Sequence, residues 1–187
     1  MILDGLLTFT GTFYGATGGV QSGTYTDAPT TGTQTSSNVL DLGISGIPAS
    51  ISGGGGGGAR DIGIGDDPAM KLLVLVTVAF TVGTSLQVNL QGAPDNGSGA
   101  PGSYTTMLSG PVVTEANLIA GARLLDDDVP RPVPAQAIPR FLALQYVSVG
   151  THSTGQIRAH IVLDRHDLPE QSNAVLGGYP PGIVIAN

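Results

Sequence analysis

Between Ser85 and Gln91 the chain alternates without exception: Leu86, Val88 and Leu90 are apolar, while Gln87, Asn89 and Gln91 are amides. Successive side chains of a strand point to opposite faces, so this spacing predicts a strand with one buried and one wet face. It excludes a helix, whose apolar positions recur every three or four residues. The stretch Leu72 to Phe80 is apolar apart from Thr77 and rich in valine, the pattern of a strand covered on both faces. With Thr81-Val82-Gly83-Thr84 as a short turn between them, the two stretches are expected to pair as a hairpin. A second hairpin is expected from Phe141 to Val149, the turn Gly150 to Gly155, and Gln156 to Asp164. In that return strand Ile157, Ala159, Ile161 and Leu163 share one face, leaving Arg158, His160 and Val162 on the other.

Weaker strand patterns lie at Ile2 to Thr10, Asn38 to Gly43, Tyr104 to Leu108 and Leu118 to Leu125, which brings the total to about eight. With no helical period beside them, these short strands predict an all-β fold, an antiparallel two-sheet sandwich with jelly roll first among the topologies. The expected core includes Leu86, Val88, Leu90, Phe141, Ile157 and Ile161. A chain of 187 residues is the size of one such unit, so residues 1–187 are read as a single domain.

Two segments cannot contribute to that core. Gly11 to Ser37 is mostly Gly, Thr, Ser and Ala, and Ile44 to Gly58 ends in six consecutive glycines from Gly53. The first is expected to be an extended arm that the domain does not need for its stability, the second a Gly-rich loop. Gly92 to Ser103, containing Asp95-Asn96-Gly97, reads as a long hairpin connection. Prolines at 130, 132, 134 and 139 predict an extended surface run. The 29 glycines and 13 prolines do not imply disorder, because 41% of residues are hydrophobic and only 11% are charged.

Charge and composition exclude several functions. A net charge of −7 has the wrong sign for a phosphate backbone, so no nucleic acid partner is expected. No apolar run approaches the roughly 20 residues that span a bilayer, and Met1-Ile2-Leu3-Asp4 lacks the positive flank of a cleaved signal, so neither membrane nor signal-led export is expected. Without cysteine there is no disulfide, thiolate ligand or thiol nucleophile. The run Gly53 to Gly58 followed by Ala59-Arg60-Asp61 lacks the Gly-Lys-Ser/Thr ending of a phosphate loop. Asp126-Asp127-Asp128 and Asp66-Asp67 read as solvated turns, since neighbours on an extended chain point apart and cannot gather a cation. His152, His160 and His166, with Asp164 and Asp167, are too few and too dispersed for a metal site. His152 is expected in the hairpin turn and His160 on the polar face of its strand. No nucleophile elbow or glutamate pair is present, so no catalytic residue, cofactor or metal is assigned and no enzyme activity is expected.

Several landmarks, taken in order along the chain, resemble the capsid cement (decoration) proteins of tailed bacteriophages. They are Met1-Ile2-Leu3-Asp4, Asn38-Val39-Leu40-Asp41-Leu42, Ala59-Arg60-Asp61-Ile62-Gly63, Ala79-Phe80-Thr81, Leu90-Gln91, Leu118-Ile119-Ala120-Gly121, Arg140-Phe141-Leu142-Ala143-Leu144-Gln145-Tyr146 and Thr154-Gly155-Gln156-Ile157-Arg158-Ala159. The resemblance implies a jelly-roll virion protein on the outer capsid surface, made in the cytoplasm of the host bacterium. It implies self-association as a dimer or trimer and binding to the major capsid protein. Gly11 to Ser37 and Ile44 to Gly58 look like expansions of shorter family segments. Candidate interface residues are Tyr14 and Tyr25 in the arm, whose amphipathic rings suit interfaces, and Pro130, Arg131, Pro132 and Pro134 on the proline-rich edge. A β-sandwich that binds a ligand or host glycan, and a jelly-roll enzyme using the C-terminal histidines, are the rival readings.

Overall fold

The computed structural model describes residues 7–11, 26–43, 70–130 and 139–162. They form nine strands: β1 (Gly32–Thr35), β2 (Leu40–Asp41), β3 (Lys71–Thr81), β4 (Ser85–Ala93), β5 (Thr105–Ser109), β6 (Val113–Thr114), β7 (Arg123–Asp128), β8 (Phe141–Val149) and β9 (Thr154–Val162). One short 3-10 turn, Glu115–Asn117, follows β6. The larger sheet runs β1-β8-β4-β5, with β2 also on β8 and β6 also on β4, and the smaller runs β7-β3-β9. Every strand pair is antiparallel, and the two sheets pack as a β-sandwich.

Period-two alternation builds the core. Leu72, Val74 and Val76 of β3 meet Leu86, Val88 and Leu90 of β4, Leu142, Leu144 and Tyr146 of β8, and Ile157, Ala159 and Ile161 of β9, with Phe9 and Leu118 in the same cluster. Each such leucine or isoleucine removed from water contributes about 1.5–3 kcal/mol. On the opposite face of the smaller sheet Leu73, Leu75 and Val162 are buried as a second cluster, so β3 is covered on both faces as its apolar run predicts.

Neither expected long hairpin forms. β3 and β4 lie in different sheets, as do β8 and β9; β3 pairs with β9 and β4 with β8. The short turns are corners, at which one long antiparallel ribbon folds from the smaller sheet into the larger, the way a jelly roll is wound. Backbone bonds carry the ribbon round the fold: Ser153 N donates to Thr81 O at 2.9 Å, and Thr84 N to Val149 O at 2.8 Å. The two corners stack so closely that a Cβ on Gly150 (φ +77) would lie 2.9 Å from the Gly83 Cα. Alternation specifies which face of a strand is buried but not which strand lies beside it, and here the close approach of two glycine corners decides the partner.

Other expectations change in detail. Leu118 to Leu125 is not one strand: Leu118 plugs the core after the 3-10 turn, and Ala122 N closes a turn onto Ile119 O at 3.0 Å before β7 starts. Asp126, Asp127 and Asp128, expected in a solvated turn, are the end of β7, in register with Leu73, Leu72 and Lys71. β7 is a sheet edge, where charges are tolerated and discourage further pairing. Of the strand expected at Ile2 to Thr10, residues 2–6 lie outside the described residues and the described part makes a bridge from Thr8 to His160, while the second strand shrinks to Leu40–Asp41. The amides on β4 are not wet: Asn89 and Gln91 are buried because strands flank β4 on both sides, with Asn89 Nδ2 donating to Gln145 Oε1 at 3.1 Å. The Gly92 to Ser103 connection does join a hairpin, β4 to β5.

The largest correction concerns the arm. Its described part, Gly11 and residues 26–37, belongs to the body: β1 pairs with β8, and Gly11 and Asp27 are buried. Asp27 N donates to Ile157 O at 2.9 Å and Ile157 N returns to Asp27 O at 2.8 Å. The segment is fastened by polar bonds rather than by aliphatic burial, which is why its composition suggested an arm.

Candidate interaction surface

The buried polar groups are internal fasteners. The Asp27 carboxylate accepts four hydrogen bonds. Oδ1 takes Gly11 N at 3.1 Å and Ser37 Oγ at 2.5 Å; Oδ2 takes Ser37 N at 2.9 Å and Tyr146 Oη at 2.8 Å. His160, expected on a polar face, is instead 2% exposed, with Nδ1 3.0 Å from Thr8 Oγ1. Burial, helped by the charge of Arg158, lowers its pKa to about 4, so the ring is neutral at neutral pH. His152 does sit in the corner but faces inward, edge-on to Phe80, with Nδ1 3.0 Å from Val82 O and Nε2 3.3 Å from Ser85 O. Among the described residues no group of three or more His, Asp or Glu is placed to hold a metal ion. Phe9, Phe80, Phe141 and Tyr146 are buried and cannot stack on a sugar; of the described aromatic residues only Tyr104, just before β5, is half-exposed.

Charge is concentrated at the strand ends remote from the corners. Just before β8, Arg140 grips Asp41 with two bonds, Nε to Oδ1 at 2.8 Å and Nη2 to Oδ2 at 2.9 Å; its Nη1 reaches Asp95, and its guanidinium lies 4.8 Å from the Phe141 ring centroid. The bond to Asp41, followed by that to Asp95, raises the Arg140 pKa above its ordinary value. Asp95 is held below the usual carboxylate range, first by the backbone N–H groups of Gly97 and Gly99 and then by Arg140. At the far ends of β3 and β7, Lys71 pairs with Asp128, and within β7 Arg123 with Asp126 at 2.6 Å.

The corner end is different in kind. Residues 28–35, 77–85, 110–121 and 147–153 form the two corners and the segments bonded to them; Glu115 is the one Asp, Glu, Lys or Arg among them, and the one histidine, His152, is buried. Thr30 O accepts His152 N at 2.8 Å, Glu115 N donates to Thr84 O at 2.9 Å, and Phe80 N to Leu118 O at 2.9 Å, which ties these segments together. This end also carries most of the exposed large apolar side chains: Val82 (66%), Val112 (63%), Ile119 (60%), Val149 (51%) and Val78 (44%). A surface with apolar side chains and almost no charge can be covered by a partner without desolvating ions, the property that marks the centre of a protein interface.

Of the interface residues expected from the sequence, Tyr14, Tyr25, Arg131, Pro132 and Pro134 lie outside the described residues, as does the 44–58 loop. Pro130 is half-buried directly after β7, next to Val129, whose N–H donates to Met70 O at 2.9 Å. Leu86, Val88, Leu90, Ile157 and Ile161 lie between the sheets, while Phe141 is buried outside that cluster, under Arg140. The corner valines went unnoticed in the sequence. Their one signal is position, since Val82 and Val149 each precede a turn glycine, where no buried face calls for an apolar residue.

Residues 25–161, which run from before β1 to the penultimate residue of β9, match the protein-family model described as Bbp16. No curated protein matches the chain.

Proposed function

This chain belongs to the Bbp16 family, a phage-associated one, and on that premise we propose that it is a structural protein of a phage virion that binds the outer capsid surface and clamps neighbouring major capsid protein subunits. The observation that carries the reading is the division of charge. A chain of net charge −7 pairs Lys71, Arg123 and Arg140 with carboxylates away from the corners and leaves at the corner end a surface that bears exposed valines and, among Asp, Glu, Lys and Arg, Glu115 alone. The acidic body keeps the free protein soluble, and the charge-poor end docks. No chemical step is involved: many copies in a small homo-oligomeric arrangement, each making weak contacts, hold the shell by multivalency. The ordered likeness to phage cement proteins agrees with this reading.

The test is co-sedimentation of the purified chain with tailed-phage capsids stripped of it. Val149→Asp and Ile119→Asp change exposed side chains, so both variants should melt like the parent yet decorate capsids several-fold less densely. A chain that stays in the supernatant, or one that binds without raising the temperature at which capsids open, overturns the proposal.

A further inference from the structure

At the tip of the β4–β5 connection, Asn96 is followed by Gly97, both exposed. This dipeptide is the one in which a backbone nitrogen most easily attacks the preceding side-chain amide, because glycine has no side chain to obstruct ring closure. Two features of the loop act on that reaction in opposite senses. The Asn96 carbonyl oxygen, Oδ1, accepts three donors: Ser98 Oγ at 2.7 Å, Ser98 N at 2.9 Å and Ala100 N at 3.4 Å. Donors aimed at a carbonyl oxygen stabilise the negative charge that develops there on nucleophilic attack, as an oxyanion hole does. The attacking atom is restrained. Gly97 N donates to Asp95 Oδ1 at 2.7 Å, and the same oxygen takes Gly99 N at 3.0 Å. Asp95 is in turn anchored by Arg140, which also holds Asp41 on β2, so the restraint is tied to the sheet.

The geometry points to Asn96 as a site of spontaneous deamidation whose rate is set by Asp95: the loop polarises the amide, and the Asp95 carboxylate withholds the Gly97 nitrogen. In the reaction the Gly97 N–H proton passes to hydroxide and the nitrogen bonds to Asn96 Cγ; as the oxyanion on Oδ1 collapses, the Cγ–Nδ2 bond breaks and the departing nitrogen takes a proton from water to leave as ammonia, which completes the succinimide ring. Water then opens either carbonyl. One product is aspartate, the other isoaspartate, in which the backbone runs through Cβ and gains a methylene. Both products add one negative charge beside Asp95, and no oxidant or cofactor takes part.

The experiment incubates the full-length chain at mildly alkaline pH and measures ammonia release together with Asp and isoaspartate at position 96 by peptide mapping. The folded chain should deamidate more slowly than the same chain in urea. Asp95→Ala should accelerate the folded protein at least about tenfold, the factor that roughly 1.4 kcal/mol represents. Asp95→Asn keeps an oxygen acceptor at the same place and should stay near the parent rate. In the Asp95→Ala background, Ser98→Ala should slow the reaction again. The inference is overturned if Asp95→Ala and the parent react at equal rates, if Asp95→Asn is as fast as Asp95→Ala, or if the folded parent reacts as fast as the unfolded chain. Should Asp95→Ala fail to fold, Asp95→Asn and the urea comparison still decide the matter.

Discussion

Replacing Asp27 with Ala tests whether residues 26–37 belong to the body or hang from it. The side chain joins the two sheets at an open edge of the sandwich: its backbone bridges Ile157 of β9, and its carboxylate holds Tyr146 of β8 together with Gly11 and Ser37. Removing the carboxylate orphans two buried donors, the Tyr146 hydroxyl and the Gly11 N–H, at about 1–3 kcal/mol each. The Ser37 donors belong to an exposed residue, so water replaces their acceptor. Relief of the buried charge returns part of this, so the net loss is about 3 kcal/mol, a large share of the 5–15 kcal/mol typical of a domain. For a chain of this length each kcal/mol shifts the melting temperature by about 2–4 °C, so a fall near 10 °C is expected. Tyr146→Phe leaves the carboxylate three of its four donors and should cost about 1 kcal/mol. Urea unfolding followed by circular dichroism and tyrosine fluorescence, run as a double-mutant cycle on Asp27 and Tyr146, should show a coupling of about 1–2 kcal/mol. If Asp27→Ala unfolds at the same urea concentration as the parent, residues 26–37 are a peripheral arm and the account of this edge is wrong.

Acid should weaken the protein through His160, whose pKa of about 4 when folded lies below the 6.5 of a free histidine. Its contribution is intact above pH 6.5 and is lost as pH falls toward 4, by about 3 kcal/mol in all, so His160→Gln should flatten the stability profile in that window; an unchanged slope would count against it. Alkali should act through Tyr146, whose pKa is raised well above 10 by burial first and the Asp27 charge second. That stability is present below pH 10 and drains away as pH rises further, and Tyr146→Phe should show a shallower alkaline decline. Gly155→Ala places a methyl group against the Phe80 ring at a φ of +125, and a loss of about 3 kcal/mol in urea unfolding is expected. Val82, at φ 62 and mostly exposed, is strained where it buries little, so Val82→Asn should raise stability by about 1 kcal/mol, and a fall would refute the strain.

What the sequence disclosed was face, and what it withheld was partner. Leu86, Val88 and Leu90 could be placed in the core, as could Ile157, Ala159 and Ile161, because alternation is a property of one strand. Whether β3 pairs with β4 or with β9 depends on Gly83 meeting Gly150, residues far apart in the chain whose contact leaves no local pattern. Residues 26–37 misled because burial there is purchased with Asp27 and Ser36 rather than with leucines; Leu144 N donates to Ser36 Oγ at 3.0 Å. His160 reads as polar until Thr8, from the other end of the chain, closes over it. The charge-poor end leaves no local pattern for a related reason. Its members come from four stretches of chain, and the absence of charge becomes a surface only once the corners bring them side by side.

The folded ribbon also dictates an order of events when the chain first collapses. Lys71 pairs with Val162 and Ser85 with Val149, so β3 and half of β4's hydrogen bonds wait for strands that follow a long intervening stretch. Closing loops of that size costs entropy before any pairing rewards it, which makes folding slow compared with a protein of local contacts. Among the long strands, β4 alone has a neighbour close in sequence, β5, across the connection that holds Asn96. That hairpin is the natural nucleus, and β3, the most apolar strand, has no partner until β7 follows it and lacks its second one until residues 154–162 arrive. During synthesis the exposed segment at greatest risk of sticking to another chain is therefore Leu72–Val76, and a chaperone that shields it would govern the yield of folded protein.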